Sequence, residues 1–217
     1  MSLVLFGHPF SSYTWKVLIP LYADGTEFEF RQVPENEENY AELKRIWPAG
    51  KFPLLLDDGE PVIETTPIIE HLQANYPGPN AWIPDGELGR RVRFLDRVFD
   101  LYIQGNMQPA VNHALRPEGM GDAYGAELGR KNLHIAYDWL EANLPENSWA
   151  AGDLFTLADC AAAPALFYAD WVEDIGPRRP KLAAYRARLL QHPIVARVVD
   201  EARPYRPYFP LGAPDRD

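Results

Sequence analysis

The chain has 217 residues, 47% of them hydrophobic, and a formal net charge of -10 from 21 Lys+Arg against 31 Asp+Glu. That is apolar material for one large or two small cores. An acidic balance with no basic stripe argues against a nucleic-acid partner, and short hydrophobic runs argue against a membrane span.

The cysteine is single, Cys160, so no internal disulfide and no Cys-based metal site is expected. The histidines, His8, His71, His113, His134 and His192, show no ligand spacing, and no metal is expected. The N-terminal "MSLVLFGHPF" has neither a basic n-region nor a small-residue cleavage site. It reads as no secretion signal, and the expected location is the cytoplasm.

In chain order, Leu3 to Phe6 is a short apolar run and predicts a strand. Residues 12–23 place Trp15, Leu18, Ile19 and Tyr22 at helical spacing. A Gly turn then leads into Phe28 and Phe30 alternating with Glu27, Glu29 and Arg31, which predicts a half-buried strand. Residues 36–46 are charged and helical in pattern. Leu54–Leu56 and Val62–Ile63 predict two strands, and "DDGEP" between them is hairpin chemistry. Residues 66–76 predict a helix with Ile68, Ile69 and Leu72 on one face. The order β-α-β-α-β-β-α implies a mixed four-stranded sheet covered by helices, a thioredoxin-like arrangement.

"YPGPNAWIP" carries too many prolines to continue a helix and reads as a linker. Beyond it, helical patterns run over 85–108, 122–144, 156–172, 180–191 and 193–202, an all-α bundle. The expected organisation is a thioredoxin-like domain over 1–77, a linker over 78–84 and an all-α domain over 85–217. The tail "RPYRPYFPLGAPDRD" is expected to pack across a surface without regular structure.

The stretch "GKFPLLLDDGEPVIETTPIIEHL" carries the chemistry. Pro53 at a strand entrance removes a ladder donor. A trans bond at a strand start accounts for it. A cis Phe52-Pro53 bond would instead turn the Phe52 backbone toward an extended peptide. In "ETTP", Thr65 or Thr66 reads as an N-cap, with Pro67 in the first turn. The helix start can hold a carboxylate and Glu64 an ammonium, which together suit an α-amino-acid head group. A capped helix with a stray acid is the plainer alternative. In "GDLFTLADC", Thr156 and Asp159 form a capping box, and Phe155 with Cys160 a hydrophobic staple. Asp159 is therefore structural, and Cys160 reads as a buried small hydrophobe.

Together, "GKFP", a hairpin, "ET" opening a helix and an all-α second part resemble the glutathione transferase superfamily, as does "GDLFTLADC". The resemblance spans the whole chain. It implies a cis Pro53, with Phe52 pairing with the cysteinyl part of glutathione. It places Glu64 and Thr65 on the γ-glutamyl group, Thr65 standing where Ser is usual. Lys51 meets a glutathione carboxylate or is a solvated turn residue. Family members with a catalytic Ser or Cys place it five residues before a basic residue that precedes an apolar one. Counting back from Lys16-Val17 gives Ser11, with Ser12 and Tyr13 as alternatives. Either serine could equally be only the cap of the first helix. The run Ser11-Ser12-Tyr13-Thr14-Trp15-Lys16-Val17 parallels the zeta class, but Tyr13 replaces its Cys and "GKFP" departs from its Gln-Val-Pro, so that class is not assigned.

A free thiol has a pKa of about 8.5, and a hydroxyl donating to its sulfur favours the thiolate. With no Cys in the first turn, thiol exchange is disfavoured and conjugation or isomerisation favoured. The implied activity is a glutathione transferase acting on a small hydrophobic electrophile in detoxification, with glutathione as co-substrate and a homodimer as assembly. A glutathione-dependent isomerase and a non-catalytic transferase-like binding module are the alternatives. Arg93, Phe99 and Tyr102 are candidates for the wall of the electrophile pocket, though any of them could equally belong to the core or the surface.

Overall fold

The computed structural model describes residues 2–146 and 148–216. The first half runs β1 (Leu3–Gly7), α1 (Ser12–Ala23), β2 (Glu29–Gln32), α2 (Glu37–Ile46), β3 (Leu54–Asp57), β4 (Glu60–Ile63) and α3 (Thr65–Asn75). The strands form one sheet in the order β2-β1-β3-β4. β1 pairs with β2 in parallel, Leu5 opposite Phe30, and with β3 antiparallel, Leu5 opposite Leu55.

Side chains of β1 alternate between two cores, as the two-residue period of a strand requires. Leu3 and Leu5 face α1, α3 and the helical half, whereas Val4 and Phe6 join Leu43 of α2 on the other side. This burial on both faces explains why β1 reads as a continuous apolar run. The β3–β4 hairpin closes through Asp58 and Gly59, both with positive φ, as the tightest hairpin turns require.

Residues between α3 and the next helix are irregular but not loose. Trp82 is buried, and its indole N–H donates to Asp24 Oδ2 at 2.6 Å. Beyond lie α4 (Gly86–Val98), a π-helical stretch (Phe99–Gln104), α5 (Gly105–Leu115), α6 (Ala123–Asn143), α7 (Leu157–Val172), α8 (Pro180–Gln191) and α9 (Pro193–Ala202). A 3-10 turn, Arg203–Tyr208, follows, so part of the tail is regular after all. α4, the π stretch and α5 form one long helical path, wider in the middle than an α-helix.

Every residue of α7 is buried. Its Ala-rich run lets α1, α4 and the π stretch pack closely on it, and α7 is the axis of the bundle. The expected capping box is present: Asp159 accepts from the backbone N–H and the hydroxyl of Thr156. The same carboxylate takes the Ala150 N–H and the Tyr185 hydroxyl, so its lone pairs are used structurally. Phe155 packs its ring against Trp149, Trp82 and His192. Cys160 is fully buried, and burial pushes its thiol pKa well up, which leaves it inert. Among the described residues no helix is long and apolar enough to cross a membrane.

Candidate functional site

The site begins at the turn from β1 into α1, His8 to Ser11. Ser11 N–H donates to the His8 carbonyl at 2.9 Å, and Ser11 is the N-cap of α1, its Oγ accepting the Thr14 N–H at 3.3 Å. Thr14 Oγ1 accepts the His8 N–H at 3.2 Å. Gly7 allows this closeness, since a Cβ there would meet Thr14 Cγ2 at 2.6 Å. The buried Trp15 donates to the Pro9 carbonyl, and Tyr168 of α7 donates to the Phe10 carbonyl at 2.9 Å. The turn is thus fixed from both sides. Ser11 caps the helix with a lone pair, so its proton remains available to another acceptor. No acidic residue occupies the first turn of α1, so the positive end of the helix is not neutralised there.

Ser11, Ser12 and Tyr13 all line a cavity of about 890 Å³. Its far wall comes from α5 and the tail: Met107, Val111, Leu115, Tyr208 and Phe209. A smaller cavity of about 340 Å³ adjoins it, lined by Pro53, Glu64, Thr65, Arg97 and Asp100. Tyr13, Lys51 and Phe52 line both. All eight candidate residues therefore fall on one continuous groove. Tyr13 is pushed up to about 12, first by burial and then by the negative charges of Asp100 and Glu64, so it stays a neutral hydroxyl at physiological pH.

The Phe52-Pro53 peptide is cis, the option that the residues by themselves left open. The expectation of a threonine N-cap on α3 is corrected. The cap position is Glu64, at φ 74, with no side-chain cap bond, and Thr65 is the first helical residue. The hydroxyl that bonds is Thr66, which donates to Asp96 Oδ2 at 2.8 Å, while the buried Thr65 faces the smaller cavity. The reason is the buried charge beneath. Lys16 of α1 lies 2.6 Å from Asp96 and 2.7 Å from Asp100, and Thr66 completes that cluster instead of capping its own helix.

The sequence matches the family model of the glutathione S-transferase N-terminal domain over residues 5–80, and that of the glutathione S-transferase C-terminal domain over residues 110–188. The chain belongs to the glutathione S-transferase superfamily. It is 28% identical to a probable maleylacetoacetate isomerase of Caenorhabditis elegans, over 77% of this chain and 78% of the relative. It is 26% identical to one of Vibrio cholerae, over 94% and 98%. A solved glutathione S-transferase of Methylobacterium radiotolerans, in complex with glutathione sulfonate, superposes with a TM-score of 0.79 at 26% identity, covering 92% of this chain and 95% of that one.

In this transferase, none of the three candidates for the electrophile wall lines the larger cavity. Phe99 is wholly buried, its ring stacked on Tyr185. Arg93 pairs with Glu70 at the surface, 3.2 Å away, and Tyr102 faces a different cleft between α4 and α6. The larger cavity is lined instead farther along the same helical path, by residues between Gln104 and Leu115, past the π stretch. His8, Glu35, Tyr168 and the tail residues Tyr208 to Pro210 also line it and were not anticipated. No local sequence signal marks them, since they come from loops and from a segment that reads as unstructured.

Proposed function

We propose that the chain is a glutathione transferase in which Ser11 activates the thiol. The observation that carries this reading is the single groove joining the Ser11 cap of α1 to Glu64 and Thr65 at the start of α3. The N–H groups at the start of α3 suit the α-carboxylate of a γ-glutamyl group, and Glu64 suits its ammonium. Phe52, held by Pro53, offers its backbone to the cysteinyl residue, and Lys51 offers charge to the glycyl carboxylate. The sulfur then lies within reach of the Ser11 hydroxyl at the positive end of α1, where a thiolate is favoured. The thiol proton leaves to solvent. The thiolate forms an S–C bond with an electrophilic carbon in the larger cavity, and the leaving group departs with its electron pair.

The reading extends to a cytoplasmic detoxifying enzyme, since that compartment supplies glutathione, and to a homodimer, because closed twofold pairs are the commonest soluble assembly. An isomerase reading draws support from the names of the two relatives and from Ser11-Ser12 with Trp15-Lys16-Val17. There the thiolate adds to a conjugated carbon, the bond rotates, and glutathione leaves unchanged. The deciding experiment is calorimetric titration with glutathione alongside conjugation of 1-chloro-2,4-dinitrobenzene. Binding with chloride release is the expected result. Absence of glutathione binding would overturn the reading.

A further inference from the structure

The larger cavity carries a charge arrangement that the glutathione site does not use. His8 lies at the end of β1, 6% exposed, with its ring against the edge of Tyr205 and stacked at longer range on Tyr208. Its Nδ1 accepts the Phe10 N–H at 3.0 Å, which requires that nitrogen to be unprotonated. The proton therefore resides on Nε2, which lies 2.9 Å from Glu35 Oε1. Burial lowers the His8 pKa despite the nearby carboxylate, so the ring is neutral, and its Nε2 faces the half-exposed Glu35 carboxylate at contact distance but without hydrogen-bond alignment.

Among the described residues that line this cavity, only Glu35 and Lys51 bear full charges. Lys51 also walls the smaller cavity, where the transferase reading sets it against a glutathione carboxylate. Bound glutathione thiolate is itself a net anion. With Lys51 so engaged, the charge left facing a second substrate is negative. The remaining surface mixes uncharged polar and aliphatic side chains with aromatic ones, Phe10, Tyr168, Tyr208 and Phe209 among them. Aromatic faces attract cations, most strongly where water is excluded.

We infer that the electrophile chamber selects a cationic aromatic substrate and rejects carboxylate-bearing ones, with Glu35 as the selecting charge. The inference rests on the transferase reading for what occupies the smaller cavity. It also weighs against an acidic isomerase substrate, for which the described residues of the chamber offer no Arg and no Lys beyond Lys51.

The test compares 4-chloro-3-nitro-N,N,N-trimethylanilinium with 4-chloro-3-nitrobenzoate as electrophiles for glutathione. Each kcat/KM is divided by its uncatalysed rate constant. The cation is expected to be favoured about tenfold or more, with Glu35→Gln bringing the ratio to within about twofold of unity, since a nearby charge at intermediate dielectric is of that order. High salt should shrink the preference in the wild type but not in the variant. A ratio near one in the wild type, or one unmoved by Glu35→Gln, would overturn the inference while leaving conjugation itself intact. Equilibrium binding of the unreactive pair, 3-nitro-N,N,N-trimethylanilinium and 3-nitrobenzoate, needs no turnover. Measured with glutathione bound, it reads the charge preference apart from the chemistry, and equal affinity for the two would reject the inference.

Discussion

At the scale of single residues, Ser11 caps α1, and the proposed activation of the thiol is a second role that the same hydroxyl can serve. Its lone pair caps α1 and its proton is free for the sulfur. The roles separate by mutation. Ser11→Ala should lower kcat/KM for glutathione by about 10- to 100-fold, the worth of a hydrogen bond to a charged group, and should also lower stability by about 1 kcal/mol through the lost cap. Ser11→Asp keeps the cap acceptor and repels a thiolate, so it should restore stability and not activity. Denaturant midpoints beside initial rates check both, and an active Ser11→Asp would reject the catalytic role. Glu64 offers a second test. A non-glycine residue at φ 74 is held at a backbone cost of about 1 kcal/mol or more, which suggests retention for its side chain. Glu64→Gly should therefore leave the melting temperature nearly unchanged, strain relief offsetting added chain entropy. It should weaken glutathione binding tenfold or more in calorimetry. Unaltered affinity would remove Glu64 from the site.

At the scale of elements, the charge cluster of Lys16, Asp96, Asp100 and Thr66 fastens α1, α3 and the α4–π path at one buried point. Burial raises the Asp100 pKa even though the Lys16 ammonium beside it pulls the other way. Such a cluster costs desolvation and rewards completeness. Lys16→Met leaves two carboxylates without their cation and should destabilise the protein by about 3 kcal/mol. Asp96→Asn should be destabilising on its own yet stabilising in the Lys16→Met background. That reversal of sign in a urea-denaturation cycle is the signature of direct coupling. Additive effects would mean that the three elements are held by apolar packing alone. The cluster also explains why Thr66 is unavailable as a helix cap.

At the scale of the whole molecule, one surface stands out. Phe94, Leu101, Tyr102, Ile135 and Trp139 line an open cleft of about 580 Å³ between α4 and α6, and Ile135 is 68% exposed. Apolar side chains so grouped on a soluble protein favour association. The proposed homodimer is expected to use this face. Ile135→Glu should convert a dimer to a monomer in sedimentation velocity, with the helical circular dichroism retained. A dimer that survives the substitution would place the interface elsewhere. The same scale explains the tail. Phe209 is buried against Trp171, and Trp171 donates its indole N–H to the Arg216 carbonyl, so the tail between Arg203 and Arg216 is fastened to the bundle and Tyr208 to Pro210 wall the groove.

How much of this was legible in the sequence follows from the range of the forces involved. The strand-helix order, the hairpin at Asp58-Gly59, the capping box of Thr156 and Asp159 and the buried Cys160 are local, and periodicity and turn chemistry suffice for them. Ser11, Lys51, Phe52, Pro53, Glu64 and Thr65 could be named as candidates because they sit on short motifs at the ends of those local elements, and the structure gathers them along one groove. Tertiary structure decided the rest. It left neither Thr65 nor Thr66 as the cap of α3, because the Thr66 hydroxyl is taken by Asp96 and Lys16 in the buried cluster. It buried Phe99 and set α5 against the larger cavity, past a π stretch that rotates one part of the helix relative to the next. It brought His8, Glu35 and Tyr208 to one wall, though Glu35 and Tyr208 lie far apart along the chain. Contacts that depend on where the chain returns leave no periodic trace in the residues that make them.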